Sequence, residues 1–140
     1  MIETRHFRVE ACRGCPLPGY FIVSSREEAE FLDQLTPCAL SELGEVLAEV
    51  TRAVRIVTKA DRVYCGQFAE QTRSVHFHVF PRTATMADQF IIENPDVTLI
   101  DGPRLLSWAQ QRLRGEMNSK ETEAVNSAVF SIITSTLIES

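Results

Sequence analysis

Apolar and polar positions alternate most regularly along Ser74-Val75-His76-Phe77-His78-Val79-Phe80-Pro81-Arg82. A period of two predicts a β-strand, with Val75, Phe77 and Val79 on one face and Ser74, His76 and His78 on the other. Phe80 breaks the alternation, and Pro81, which has no N–H to give, should end the ladder. The apolar face needs a cover. Residues 37–58 supply one, because Leu40, Leu43, Leu47, Val50, Val54 and Val57 recur at helical spacing. Thr36 is placed to cap this helix and Pro37 suits its first position. Leu35 and Leu40 are spaced for a hydrophobic staple.

Shorter patterns place the remaining elements. Pro18-Gly19 reads as a turn, and Tyr20-Phe21-Ile22-Val23 as a short buried strand. Residues 26–34 are charged and read as a short helix with Phe31 and Leu32 inward. Ala60-Asp61 should turn the chain into a strand over residues 62–68. The short connector from Ala69 to Arg73 then makes a hairpin with the histidine strand. Residues 88–99 mix Phe90-Ile91-Ile92 and Val97-Thr98-Leu99 with Pro95, which reads as a loop plus a short strand. A helix follows from Asp101-Gly102-Pro103 to about Leu113, with Leu105, Leu106, Ala109 and Leu113 on one side and Trp108 in the core. Gly115 is its expected stop. Asn118 and Glu121 resemble a capping box for a last helix, whose stripe is Val125, Ala128, Val129, Ile132, Ile133 and Leu137. That stripe must be buried on this chain or on another.

Composition narrows the function classes. With 140 residues the chain is long enough for one domain with a real core. A net charge of -5 argues against a general nucleic-acid binder, though not against a nucleotide ligand. No apolar run approaches the roughly 20 residues of a membrane helix. Met1-Ile2-Glu3-Thr4-Arg5 has no signal-peptide core, so the four cysteines are expected as thiols in the cytoplasm. Cys12 and Cys15 form a lone C-x-x-C. Without a second pair it reads as a turn around Gly14 ahead of a zinc site.

Two of the three histidines thus share one strand face. Three readings are open for them. They could simply be solvated. They could be half of a metal site, which needs further ligands that His6, carboxylates or cysteines would have to supply. Or they could act on phosphorus, since a neutral imidazole is a good nucleophile near pH 7 and its neighbour can donate to a phosphate oxygen or a leaving group.

Residues 74–82 resemble the motif of the histidine-triad (HIT) superfamily, His-x-His-x-His followed by two apolar residues and, in many members, Pro-Arg. Ser74 stands where the first histidine would be. The resemblance covers residues 17–82 and leaves 83–140 as an extension with two helices within a single domain, residues 1–140. It implies an α+β fold, with an antiparallel sheet of about five strands, the long helix on one face and C-terminal helices added. It implies a nucleotide hydrolase or nucleotidyl transferase acting at the α-phosphate of a dinucleoside polyphosphate or nucleoside phosphoramidate. His76 falls on the nucleophile and His78 on the phosphate-binding histidine. Ser74, Gln71 and Arg82 are the expected substrate contacts. No metal or other cofactor is required, and a homodimer is implied. Some members hold a structural zinc with a cysteine pair and two histidines, but the matching positions here are Ser74 and Ser24-Ser25-Arg26. Ser74 should lower activity without abolishing it. The alternatives are a non-catalytic nucleotide-binding protein with a degenerate triad and a metal-dependent β-barrel enzyme, against which the long helix argues.

Overall fold

The computed structural model describes residues 1–113 and 119–138. Five strands make one antiparallel sheet: β1 (Ile2–Glu3), β2 (Phe7–Ala11), β3 (Phe21–Ser25), β4 (Arg62–Gly66) and β5 (His76–Arg82), in the order β1-β2-β3-β5-β4. The histidine strand β5 therefore lies inside the sheet, between β3 and β4. The pairs Ile22–His78, Ser24–His76 and Gly66–His78 fix its register. Pro81 does not end the ladder, because it still pairs with Val63 on β4. The β3 side has already ended at the Phe21–Val79 pair, so no strand there awaits the missing N–H.

Each sheet face has its own cover. On one, Phe7, Val9, Phe21, Val23, Val75 and Val79 pack against the long helix α1 (Pro37–Thr58) and the last helix α4 (Ser119–Ile133). Thr36 caps α1 by accepting from the Ala39 N–H, Pro37 opens it, and left-handed Lys59 closes it. The buried stripe is Ala39, Val46, Val50, Ala53 and Val54, with Leu43, Leu47 and Val57 at its margins. The small residues let the helix sit close, so the stripe is rotated from the leucine line. Leu40 is exposed, which removes the staple with buried Leu35. α4 settles on α1 of its own chain through Val129 and Ile133, while Ala128 is exposed. A π-helical turn (Thr134–Ile138) extends it, and Leu137 packs at the margin of this core. Asn126 on α4 accepts a hydrogen bond from the Gly19 N–H at 2.9 Å. Gly115 and Asn118, the expected stop and cap, lie outside the described residues.

The other face carries a second core that the strand pattern understates. Phe80 does not break the period: it follows His76 and His78 onto this face and packs with Tyr20, Leu17, Phe90, Leu105 and Ala109. The cover consists of α2 (Ala84–Glu93) and α3 (Gly102–Arg112). The expected loop and strand over residues 88–99 are thus a helix in their first half. Thr83 caps α2 by accepting from the Met86 N–H, and Ala87 and Phe90 face inward at i, i+3 spacing. Ile92, which made the segment read as a strand, is 78% exposed. Among the described residues beyond Arg82 there are thus three α-helices where two were expected. A single 3-10 turn (Leu32–Gln34) replaces the short helix, with Phe31 57% and Leu32 41% exposed. Ala29 and Leu35 are buried in their place. Among the described residues no helix is long and apolar enough to cross a membrane.

Candidate active site

The even-numbered face of β5 runs from solvent into the second core: His76, then His78, then buried Phe80. Helix α3 lies over that face but stops short of His76, and the gap is a cavity of about 410 Å³. His76 and His78 form its wall, with Gln71 and Thr72 of the connector on one side and Leu106 and Gln110 of α3 on the other. A second, apolar cavity of about 310 Å³ adjoins it, sharing His78, Phe68, Pro103 and Leu106. Gly66 and Tyr64 of β4 line that second space. The two imidazoles are 5.2 Å apart between centroids, inclined by 67°.

His76 is held from two directions. Its main-chain N–H donates to Gln67 Oε1 at 2.8 Å. Its Nδ1 lies 2.8 Å from the main-chain carbonyl oxygen of Ser74. A carbonyl can only accept, so Nδ1 carries the proton and Nε2 keeps its lone pair. The side chain of Ser74 is not involved; it lines a separate recess with Glu28, Ala29, Glu30 and Gln34. The expected serine contact is thus made by a main-chain atom that any residue supplies.

His78 is more enclosed. Its Nδ1 lies 2.7 Å from the Tyr20 hydroxyl, which also receives Gln110 Nε2 at 3.0 Å. Burial first, and the neighbouring charge of His76 second, hold its pKa below the usual imidazole value, so it stays neutral at neutral pH. Burial and, behind it, the Cys12 thiol push the Tyr20 phenol well above its ordinary range. It is a neutral hydroxyl at any working pH.

The remaining sequence candidates are scattered. Gln71 and Thr72 reach the larger cavity, whereas Arg73 pairs with Glu30 at 3.4 Å. Arg82 lines neither cavity. It sits past Phe80, with one guanidinium nitrogen 3.5 Å from the Tyr64 hydroxyl and Nε buried without a hydrogen-bond partner among the described residues. Arg82 lies four residues beyond His78 along β5, roughly 13 Å between their backbones, and its guanidinium borders Tyr64. His6 is occupied elsewhere, with Nδ1 3.2 Å from Glu27. Cys15 is buried and Cys12 partly so. Among the described residues no three histidine, cysteine or acidic side chains converge as a metal site would need. Sequence reasoning passed over Tyr20, Gly66, Gln67, Leu106 and Gln110. Tyr20 offered one signal: a buried tyrosine in an apolar run must place its hydroxyl somewhere.

The arrangement presents one imidazole lone pair and one neutral imidazole to a solvent-accessible cavity whose connector side carries Gln71 and Thr72 together with the carboxylate of Glu70. It is equipped to hold a small anion between imidazoles and to attack it. No protein-family model matches the chain, and no curated protein matches it. Solved structures do. One is a hypothetical histidine triad nucleotide-binding protein from Sulfolobus tokodaii, at 16% identity over 96% of this chain and 82% of that one, with a TM-score of 0.61. A histidine triad protein from Bradyrhizobium japonicum is 16% identical over 94% of this chain and 87% of its own, at 0.62. A Hit-like protein involved in cell-cycle regulation, from Bartonella henselae, is 17% identical over 91% and 83%, at 0.57. The likeness establishes the fold. This chain has the α+β architecture of the histidine-triad proteins.

Proposed function

We propose that the chain is a nucleotide hydrolase or nucleotidyl transferase acting at an α-phosphate, with His76 as nucleophile. The observation that carries this reading is the pair of contacts at His76: Nδ1 committed to the Ser74 carbonyl, and the ring on the wall of a cavity beside His78. Nε2 attacks the α-phosphorus. A P–N bond forms as the bond to the leaving group breaks, and the leaving group departs with a proton from the site or from water. The imidazolium so formed keeps its Nδ1–H on the carbonyl. Water then opens the P–N bond, releasing the nucleoside monophosphate and restoring His76. In a transferase another acceptor replaces water.

His78 donates to a phosphate oxygen, and Gln71 and Thr72 face the same group. The substrate class is a dinucleoside polyphosphate or a nucleoside phosphoramidate. The same reading takes the protein as a homodimer extending the sheet at β4. That strand is the outermost in the sheet order, so one of its edges pairs with no other described strand.

The test is a panel of adenosine and guanosine polyphosphates and phosphoramidates, assayed for monophosphate release. The wild-type chain should release it, and His76→Ala should not, with an unchanged melting profile. Equal turnover in His76→Ala would remove the mechanism. Nucleotide binding without release by the wild-type chain would favour a binding protein with a degenerate triad.

A further inference from the structure

We propose that Tyr20 and Gln110 form a two-step hydrogen-bond relay that fixes the tautomer of His78, so that its cavity-facing Nε2 carries the proton. The relay joins three elements. Tyr20 precedes β3, His78 is on β5, and Gln110 is on α3, in the C-terminal extension. Helix α3 is thereby a working wall of the site as well as a cover for the sheet.

Proton counting gives the direction. The side chain of Tyr20 is fully buried, and its hydroxyl has one proton and two lone pairs. Gln110 Nε2 can only donate, and it does so to the phenol oxygen at 3.0 Å. The phenol proton then has two possible destinations. One is His78 Nδ1 at 2.7 Å, a short contact of the kind an O–H donor makes to an imidazole nitrogen. The other is the Cys12 sulfur, which stands beside the same hydroxyl. Thiol sulfur is a weak acceptor, so the proton goes to the imidazole. With Nδ1 accepting, the single proton of neutral His78 sits on Nε2. Gln110 sets the sense of the whole chain, since reversing its end of the relay reverses the other end.

The two histidines are thereby made unlike. His76 has Nδ1–H on a carbonyl and a lone pair at Nε2. His78 has a hydroxyl proton on Nδ1 and a donor at Nε2. One attacks and the other donates. This division of labour rests on the reading of His76 given above, but the tautomer itself does not. Other ionisable groups surround the Tyr20–His78 contact. They are His76 on β5, Cys12 and Cys15 near Tyr20, Tyr64 and Cys65 across the apolar cavity, and Glu70 on the connector. Because burial holds the His78 pKa below its ordinary value, measurement at pH 8 reads His78 as a neutral ring and isolates the relay.

The test uses long-range proton–nitrogen NMR of the full chain at pH 8, which reports the protonated nitrogen of each histidine. The wild-type chain should show His78 with Nε2 protonated. Tyr20→Phe should give a tautomer mixture. Gln110→Glu is the decisive variant: nearly isosteric, its carboxylate accepts where the amide donated. It should take the phenol proton and leave His78 with Nδ1 protonated. Both variants should lose about tenfold in kcat, the loss of roughly one hydrogen bond, with KM changed less than threefold. A wild-type His78 protonated on Nδ1, or an unchanged His78 spectrum in both variants, would overturn the relay. Gln110→Met should keep the melting temperature, which separates packing from proton placement. A wild-type chain that shows the expected tautomer but releases no monophosphate would leave the relay standing and remove the hydrolase.

Discussion

Gly66 lies directly opposite His78 in the β4–β5 ladder, and the side chain it lacks is the space over that imidazole. A Cβ built at Gly66 meets no atom within 4 Å. Gly66→Leu should therefore fill the apolar cavity without strain, and glycine inside a strand is itself unfavourable. Nucleotide binding should weaken by at least about tenfold, 1.4 kcal/mol, with the melting temperature held or raised. Isothermal titration of a monophosphate against both chains checks this. Equal affinity would place the ligand elsewhere.

Ser74 reaches the site only through its carbonyl. Ser74→Ala keeps that group, so turnover should stay within about threefold of the wild type, less than one neutral hydrogen bond is worth. A loss of a hundredfold would show that the hydroxyl works in the reaction. Steady-state rates on one phosphoramidate are sufficient.

Much of this site was legible in the sequence and some was not, for physical reasons. The period of two over residues 74–82 put His76 and His78 on one face, and the helix over residues 37–58 was capped by Thr36 as its sequence implied. The residues that complete the site come from tertiary placement. Tyr20 looked like one more apolar strand residue, and Gln110 like the polar side of a helix. Their meeting spans ninety positions, which no local pattern reports. Phe80 seemed a break because a single polar face was assumed, whereas that face turns from site to core along its length. Helix α2 was missed because Phe90-Ile91-Ile92 has strand composition. The Thr83 cap and the Ala87–Phe90 spacing decide against it. β2 alternates buried Phe7 and Val9 with less buried neighbours, a period of two over five residues that is too short to stand out before the C-x-x-C turn around Gly14.

His78 also gives stability a pH dependence. Its folded pKa lies below the ordinary 6.5, so the unfolded chain takes up the proton first as pH falls. Its contribution is complete above about 6.5 and is lost progressively below it. Urea midpoints should therefore fall with acidification from about pH 6.5, before carboxylates titrate. His78→Gln should show a shallower slope in that window. An identical slope would mean that His78 is not desolvated as described.

The second core predicts a contrast within one helix. Phe90 is fully buried and meets Trp108 edge-on at 5.4 Å between centroids, whereas Ile92 is 78% exposed. Phe90→Ala should cost about 3–5 kcal/mol, and Ile92→Ala less than about 0.5 kcal/mol. Chemical denaturation of the two variants measures both. Similar costs would contradict the placement of α2.

The central claim is that Nε2 of His76 bonds to phosphorus, and intact-mass spectrometry after a rapid quench tests it most directly. A nucleoside phosphoramidate mixed with the wild-type chain, then quenched in base to preserve a phosphorus–nitrogen bond, should yield a transient mass increase of one nucleotidyl group. Peptide mapping should locate it at His76, and His76→Ala should show none. Monophosphate release with no such adduct at any time point, or an adduct of equal yield in His76→Ala, would contradict the account.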